Sequence, residues 1–309
     1  MAENAVAGGR LEARLRAGGF VVTAELTPPV SCDPDDLLNK ALPLRGLADA
    51  INVNDGAGAH AQLSAVTASA ILLQHGIEPI VQMTCRDRNR LALQSDLLAI
   101  AATGGRNVLC LRGDDPTAGD QPDAKPVFDL DARRLLQTAR RLRDEGELPT
   151  GRKVGGRAQF FLGVADSPID PPAGWMPQSL AAKIADGAQF AQTQFCMDAG
   201  VVRRYVHRLA ELGLTEKLFL IVGIAPLRSA RSARWMKDKL PGTIIPDSVI
   251  ERMERAADPV AEGRRICTEL VAELANIPGV AGAHIMAPNN HEALPEVLAG
   301  LGKLRRATV

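Results

Sequence analysis

Residues 78–115 read EPIVQMTCRDRNRLALQSDLLAIAATGGRNVLCLRGDD, and their pattern decides the fold. Two strand-like runs, Glu78–Thr84 and Asn107–Asp114, flank a helix-length stretch, and only Gly104–Arg106 leads from that stretch into the second run. Each run is nearly continuous in apolar residues rather than alternating, as parallel strands covered on both faces require. Each also ends in polar groups, Gln82-Met83-Thr84 and Arg112-Gly113-Asp114-Asp115. The segment therefore reads as one strand–helix–strand crossover with chemistry at the strand ends.

The pattern extends in both directions. Phe20–Leu26, Ala50–Asp55, Ala158–Ala165, Phe190–Phe195, Leu218–Ala225 and Val280–Ala287 bring the strand candidates to eight. Between them lie helical stretches. Asp198 is a good N-cap for a helix whose apolar face runs through Val201, Val202, Tyr205, Val206, Leu209 and Leu212, with Gly213 placed to end it. Asp129–Arg143 forms another, with Leu135, Ala139 and Leu142 on one stripe. Eight strands alternating with helices predict an α/β fold of the (β/α)8 TIM-barrel type, as a single catalytic domain over 1–309. Segments after strands are long and rich in Gly, Pro and polar residues, whereas those before strands are short. In such barrels the loops after the strands build the functional face.

Composition narrows the function. The chain has 309 residues, with 36 Lys+Arg balancing 36 Asp+Glu, and only 3% aromatics. Zero net charge removes the field that non-specific nucleic-acid binding needs, and few aromatics argue against a base-stacking surface. The longest apolar run, Leu218–Leu227, is about half the ~20 residues that span a bilayer. The N-terminal stretch lacks the apolar core of a signal peptide. Five cysteines, Cys32, Cys85, Cys110, Cys196 and Cys267, form no C-x-x-C pair, and no His/Cys/acid cluster has metal-ligand spacing. The expectation is a cytoplasmic protein with reduced thiols, no metal, no membrane and a small-molecule partner. Oligomeric state stays open, a homo-oligomer included.

The strand ends carry the candidate site. Glu25 interrupts the run Val21-Val22-Thr23-Ala24 just before Pro28-Pro29. A carboxylate inside a barrel is costly to desolvate unless it is paired or used. Glu25 is therefore either held by an internal ion pair, for instance with Arg112, or is a working acid. Asn54 and Asp55, Gln82 and Thr84, Arg112, Gly113 and Asp114, Asp166, Gln192 and Gln194, and His284 with Asn289-Asn290 beyond it, fall on the same face. Each has a bland alternative: Asp114 and Asp115 as turn caps, Asn54-Asp55-Gly56 as turn chemistry, Gln194 as a backbone partner at the rim. Gly56–Ala61 fits a loose G-x-G-x-x-A dinucleotide pattern that follows a strand and opens a helix, but the next strand lacks the acid that pattern wants.

At these residues the chain resembles the methylenetetrahydrofolate reductase family over nearly its whole length. The carrying segments are Ala24–Pro29, Gln82–Asp87, Leu111–Asp114, Lys183 in Lys-Ile-Ala-Asp-Gly-Ala, Gln192–Phe195 and Gly223–Pro226. The resemblance implies a flavin-binding barrel that moves a hydride from NAD(P)H through FAD to 5,10-methylenetetrahydrofolate, giving 5-methyltetrahydrofolate, or runs in reverse in one-carbon catabolism. It makes Glu25 the acid that helps open the imidazolidine ring. Asp114 becomes the aspartate between flavin and pterin, and Gln194, with Gln192 beside it, a folate contact. Arg112, Gly113, Asp114, Gln82, Thr84, Asn54, Asp55 and Lys183 become the cofactor set. Gln82 stands where many members carry a flavin-contacting histidine, Met176 where an aspartate is expected, and Ala230 where some have an aromatic. These departures set FMN, and weak or no flavin occupancy, beside FAD and leave NADH and NADPH both open. The competing expectations are a tetrahydrofolate-dependent methyltransferase or demethylase, and a folate- or flavin-binding accessory subunit.

Overall fold

Eight apolar runs become eight parallel strands: β1 Val21–Leu26, β2 Ala50–Val53, β3 Pro79–Thr84, β4 Asn107–Leu111, β5 Phe161–Asp166, β6 Phe190–Phe195, β7 Phe219–Ile224 and β8 Val280–Ile285. Each strand pairs with the next, and β8 returns to β1, so the sheet closes into a barrel. This computed structural model describes residues 9–288 and 290–302. Asn289 and both ends of the predicted 1–309 span lie outside the described residues.

The helices are α1 Arg10–Arg16, α2 Pro34–Ala41, α3 Ala65–Gln74, α4 Arg90–Ala102, α5 Ala132–Asp144 and α6 Gln178–Ala185. They continue as α7 Ala199–Glu211, α8 Ala230–Lys239, α9 Asp247–Arg255, α10 Pro259–Leu274 and α11 Leu294–Gly300. No described helix is long and apolar enough to cross a membrane. Helix α5 begins three residues after the predicted start. Asp131 is its cap, accepting from Arg134 N at 2.8 Å, while Asp129 turns away to bond Arg90. The Gly56–Ala61 segment does not open a helix. It makes a short 3-10 turn in which Gly56, Gly58 and Ala59 all have positive φ, and α3 starts only at Ala65.

Side chains in a strand alternate in direction, so residues two apart share the barrel interior. That rule stacks the interior in layers. The lowest layer is apolar: Val21, Ala50, Ile80, Phe161 and Phe190 pack with Leu11 and Leu15 of α1. Phe161 and Phe190 stack there with ring centroids 4.9 Å apart. Helix α1 sits beneath as a plug, held because the Glu78 carboxylate accepts from Arg10 N at 2.7 Å and Leu11 N at 3.0 Å. A carboxylate on free first-turn amides is the favourable arrangement for a helix N-terminus. Two residues up from that floor the interior turns polar, with Thr23, Asn52, Gln192 and His284. Two residues further lies the mouth, with Glu25, Asn54 and Gln194.

Candidate active site

The polar middle layer is a single hydrogen-bonded chain. Asn52 Nδ2 donates to Gln192 Oε1 at 2.6 Å, and Gln192 Nε2 donates back to Asn52 Oδ1 at 3.0 Å. The second Gln192 Nε2 hydrogen goes to Thr23 Oγ1 at 3.1 Å. Thr23 Oγ1 in turn lies 2.9 Å from His284 Nδ1. All four residues are buried, and four strands contribute one residue each. Buried polar groups are expensive unless partnered, and here Asn52, Gln192 and Thr23 are joined across the barrel while His284 bonds Thr23 on the neighbouring strand.

Glu25 crowns this layer. Its carboxylate is half-buried, and Oε2 lies 3.9 Å from His284 Nε2, at ion-pair distance. The partner expected from sequence, Arg112, is elsewhere: its guanidinium stacks over the Phe128 ring at 4.5 Å. Glu25 also lines a cavity of about 240 Å³ together with Thr27, Lys40 of α2 and His291.

The remaining candidates share the mouth but not one contact network. Asp114 is exposed and accepts from Gly58 N at 2.9 Å, so it fastens the β2–α3 loop and leaves its other oxygen open. Gly113, at φ 94°, brings the chain so close to Thr84 and Arg86 that a Cβ would lie 3.0 Å or less from their side chains. Asp55 is committed to structure, since it accepts from Thr84 N and Oγ1 and pairs with Arg88. Asn54 donates to Thr27 Oγ1. Asp115 caps the following 3-10 turn through Thr117 N and Oγ1, and these bonds hold its carboxyl below the ordinary range. Gln194 takes the Phe195 N–H and donates to Pro241 O. Gln192 is buried with its amide fully engaged, and Gln82 is half-buried on β3.

A second cleft, of about 440 Å³, opens beyond β5, lined by Asp166, Ser167, Trp175, Ser179 and Lys183 among others. Lys183 Nζ donates to Ala165 O at 2.8 Å. Helix α6 starts here behind Pro177, and no side chain caps its first-turn amides. Gln178 N donates to Met176 O at 2.9 Å, and a helix start with no side-chain cap, beside a lysine and serine hydroxyls, is the chemistry of a phosphate or diphosphate site. Burial pushes the Asp166 carboxyl up, opposed by the Tyr205 hydroxyl, which donates to it at 2.5 Å, and by Lys183. No three His, Cys, Asp or Glu side chains among the described residues gather as a metal site requires.

Sequence reasoning placed Asn52 and His284 among the strand-end polar groups without assigning them a role, and it passed over Thr23. Their one sequence signal is period-two spacing from Glu25 and from the mouth residues of β2, which puts polar groups where an apolar interior would be expected.

Comparison with known proteins identifies the lineage. A solved structure described as an uncharacterized Clostridium thermocellum protein that binds two copies of 5-methyl-5,6,7,8-tetrahydrofolic acid superposes with TM-score 0.61 at 13% identity, covering 96% of this chain and 99% of that one. An EDTA monooxygenase from Chelativorans superposes with TM-score 0.59 at 11% identity, over 94% of each chain. Both likenesses concern the fold. In sequence, a probable methylenetetrahydrofolate reductase (NADPH) of Caenorhabditis elegans is 26% identical over 247 residues, 77% of this chain and 34% of its own length. Methylenetetrahydrofolate reductase 1 of Schizosaccharomyces pombe is 23% identical over 273 residues, 82% of this chain and 41% of its own length. The chain thus spans well under half the length of these curated relatives. The family model for methylenetetrahydrofolate reductase matches residues 10–302, from the plug helix to the end of α11. With a match over the whole described barrel, the chain belongs to the methylenetetrahydrofolate reductase family.

Proposed function

We propose that this chain is a flavin-dependent methylenetetrahydrofolate reductase, passing a hydride from NAD(P)H by way of bound FAD, or FMN, to 5,10-methylenetetrahydrofolate. The observation that carries the reading is Glu25: a half-buried carboxyl at the barrel mouth, set over buried His284, in a chain of this family. The cleft beyond β5 fits a flavin nucleotide, with Lys183, Ser179 and the α6 amides suited to its phosphates, and Arg112 and Gly113 on the adjoining rim. When bound there, the flavin supplies two-electron chemistry by accepting a hydride from the nicotinamide and returning it to the methylene carbon.

The protein's own part is positioning and proton management. Glu25, in its acid form, gives its proton to the bridging nitrogen of the folate as the imidazolidine ring opens to the iminium that receives hydride. Asp114, held by Gly58 through one oxygen, offers the other to pterin N–H groups. Gln194 reaches substrate by exchanging its Pro241 and Phe195 partners for the folate. Gln192 acts from below, as part of the layer that supports Glu25.

The test separates the two halves of the reaction. The purified protein is expected to be yellow and to bleach anaerobically with NADH, and methylenetetrahydrofolate should restore the colour. Glu25→Gln should leave bleaching intact and slow recovery by about 100-fold or more, the usual worth of a general acid. Colourless protein that turns over would remove flavin from the reading, and equal loss in both halves would remove Glu25 as the acid.

A further inference from the structure

We propose that His284 is the positioning residue for Glu25, presenting its Nε2–H to the carboxylate that remains once Glu25 has given up its proton. The inference rests on the reading of Glu25 as proton donor, and its ground is the direction of the buried hydrogen-bond chain.

That direction follows from the orientation of the Asn52–Gln192 amide pair, and turning both amides together would reverse it. The Asn52–Gln192 amide pair is reciprocal, so turning either amide alone would set N–H against N–H and oxygen against oxygen. With Gln192 Nε2 donating to Thr23 Oγ1, the Thr23 hydroxyl has its own hydrogen left to donate, and its neighbour is His284 Nδ1 at 2.9 Å. In this arrangement Nδ1 acts as acceptor. A neutral imidazole with an accepting Nδ1 carries its hydrogen on Nε2, and Nε2 is the atom facing Glu25 Oε2 at 3.9 Å. A slight approach on substrate binding brings that contact to hydrogen-bond length, as is common for sites that tighten in the complex.

The other charged groups around Glu25, Lys40 and His291, belong to elements outside the barrel wall and line its cavity from there. His284 approaches from within, on a strand neighbouring β1, in register with Thr23. The proton account is simple. Glu25 loses one proton to the folate nitrogen, His284 keeps its own and donates a hydrogen bond to the new carboxylate, and solvent at the mouth reprotonates Glu25. His284 neither gains nor loses charge.

Two substitutions divide the two sides of the ring. Glutamine can set its amide nitrogen near the Nε2 position, whereas asparagine reaches only the Nδ1 position. His284→Gln should keep the folate half-reaction within about tenfold of wild type, and His284→Asn should slow it by about 100-fold, the scale of a misplaced catalytic group. Flavin bleaching by NADH should be unchanged in both. A purely structural role, holding Thr23, would reverse that order, and reversal or equal loss overturns the proposal. A second readout needs no turnover. In protein labelled with 15N-histidine, the ring signals of His284, assigned by their loss in either variant, should report hydrogen on Nε2. Hydrogen on Nδ1 would mean that the chain runs the other way, and would overturn the proposal even in an active enzyme. Wild-type protein inert towards folate, with Nε2–H observed, would instead refute the function while upholding the geometry.

Discussion

Asp166 sits where charge is least welcome among the mouth residues. Burial raises its carboxyl pKa in the folded chain, and the Tyr205 hydroxyl and Lys183 only partly oppose this. A carboxyl whose folded pKa lies above its unfolded value, about 4, binds its proton more tightly when folded. Its contribution to stability is therefore full at acid pH and is lost as pH rises through and above that range. Asp166→Asn keeps an acceptor for Tyr205 and removes the charge. Its urea midpoint should match wild type below about pH 4 and gain on it as pH rises above that value, levelling off once the folded carboxyl has ionised, and parallel profiles would contradict this account. The thiols offer a second check at this scale. Burial pushes Cys85 and Cys267 up to about 12 and Cys196 up to about 11, and Cys110 is buried as well, whereas Cys32 is exposed. Thiolate is the reactive form, so a disulfide reagent should titrate one fast thiol in native protein and the other four only on unfolding. Glu25 was legible in the sequence because an acid breaking an apolar strand is conspicuous. His284 was legible as a strand-end group, but its tie to the Glu25 site was not, because its bond to Thr23 joins positions 261 residues apart and exists only once β8 closes onto β1.

Among the elements, helix α10 tests packing against propensity. Gly263 lies in its first half with no special φ, so alanine there should add about 1 kcal/mol of helix preference. Yet a Cβ at Gly263 would stand 1.7 Å from Leu227 O, a backbone atom in the loop after β7. Backbone cannot swing aside as a side chain can, and overpacking costs about 1–3 kcal/mol or more. Gly263→Ala should therefore lower the denaturation midpoint, while Gly300→Ala, whose nearest neighbour is 4.0 Å away, should be tolerated. A stabilised Gly263→Ala would show that α10 does not rest on that loop. Local chemistry made several elements readable. Asp198 accepts from Val201 N at 3.0 Å and Gly213 has φ 64°, so both ends of α7 were written in its residues. The start of α5 was misread because two aspartates compete for the cap, and a distant arginine, Arg90, decides between them. In the β2–α3 loop only the helix start was misread: Gly56 and Gly58 serve left-handed turns above Arg86, and α3 begins at Ala65.

For the molecule as a whole, stability and chemistry occupy opposite ends of one cylinder. Leu11 of the plug helix is completely buried, so Leu11→Ala should cost about 2–5 kcal/mol. Its thermal midpoint should fall while the proposed NADH half-reaction, measured well below that midpoint, stays at the wild-type rate. A matching loss of rate would show that the floor is coupled to the mouth. Fold class was readable at this scale because eight apolar runs recur with polar tips, whereas the direction of the interior hydrogen-bond chain depends on the closed register. The plug has one more consequence. A cylinder stoppered below is a well rather than a tunnel. On the function proposed above, electron donor and one-carbon acceptor would therefore share the upper opening, and either one lingering there would delay the other.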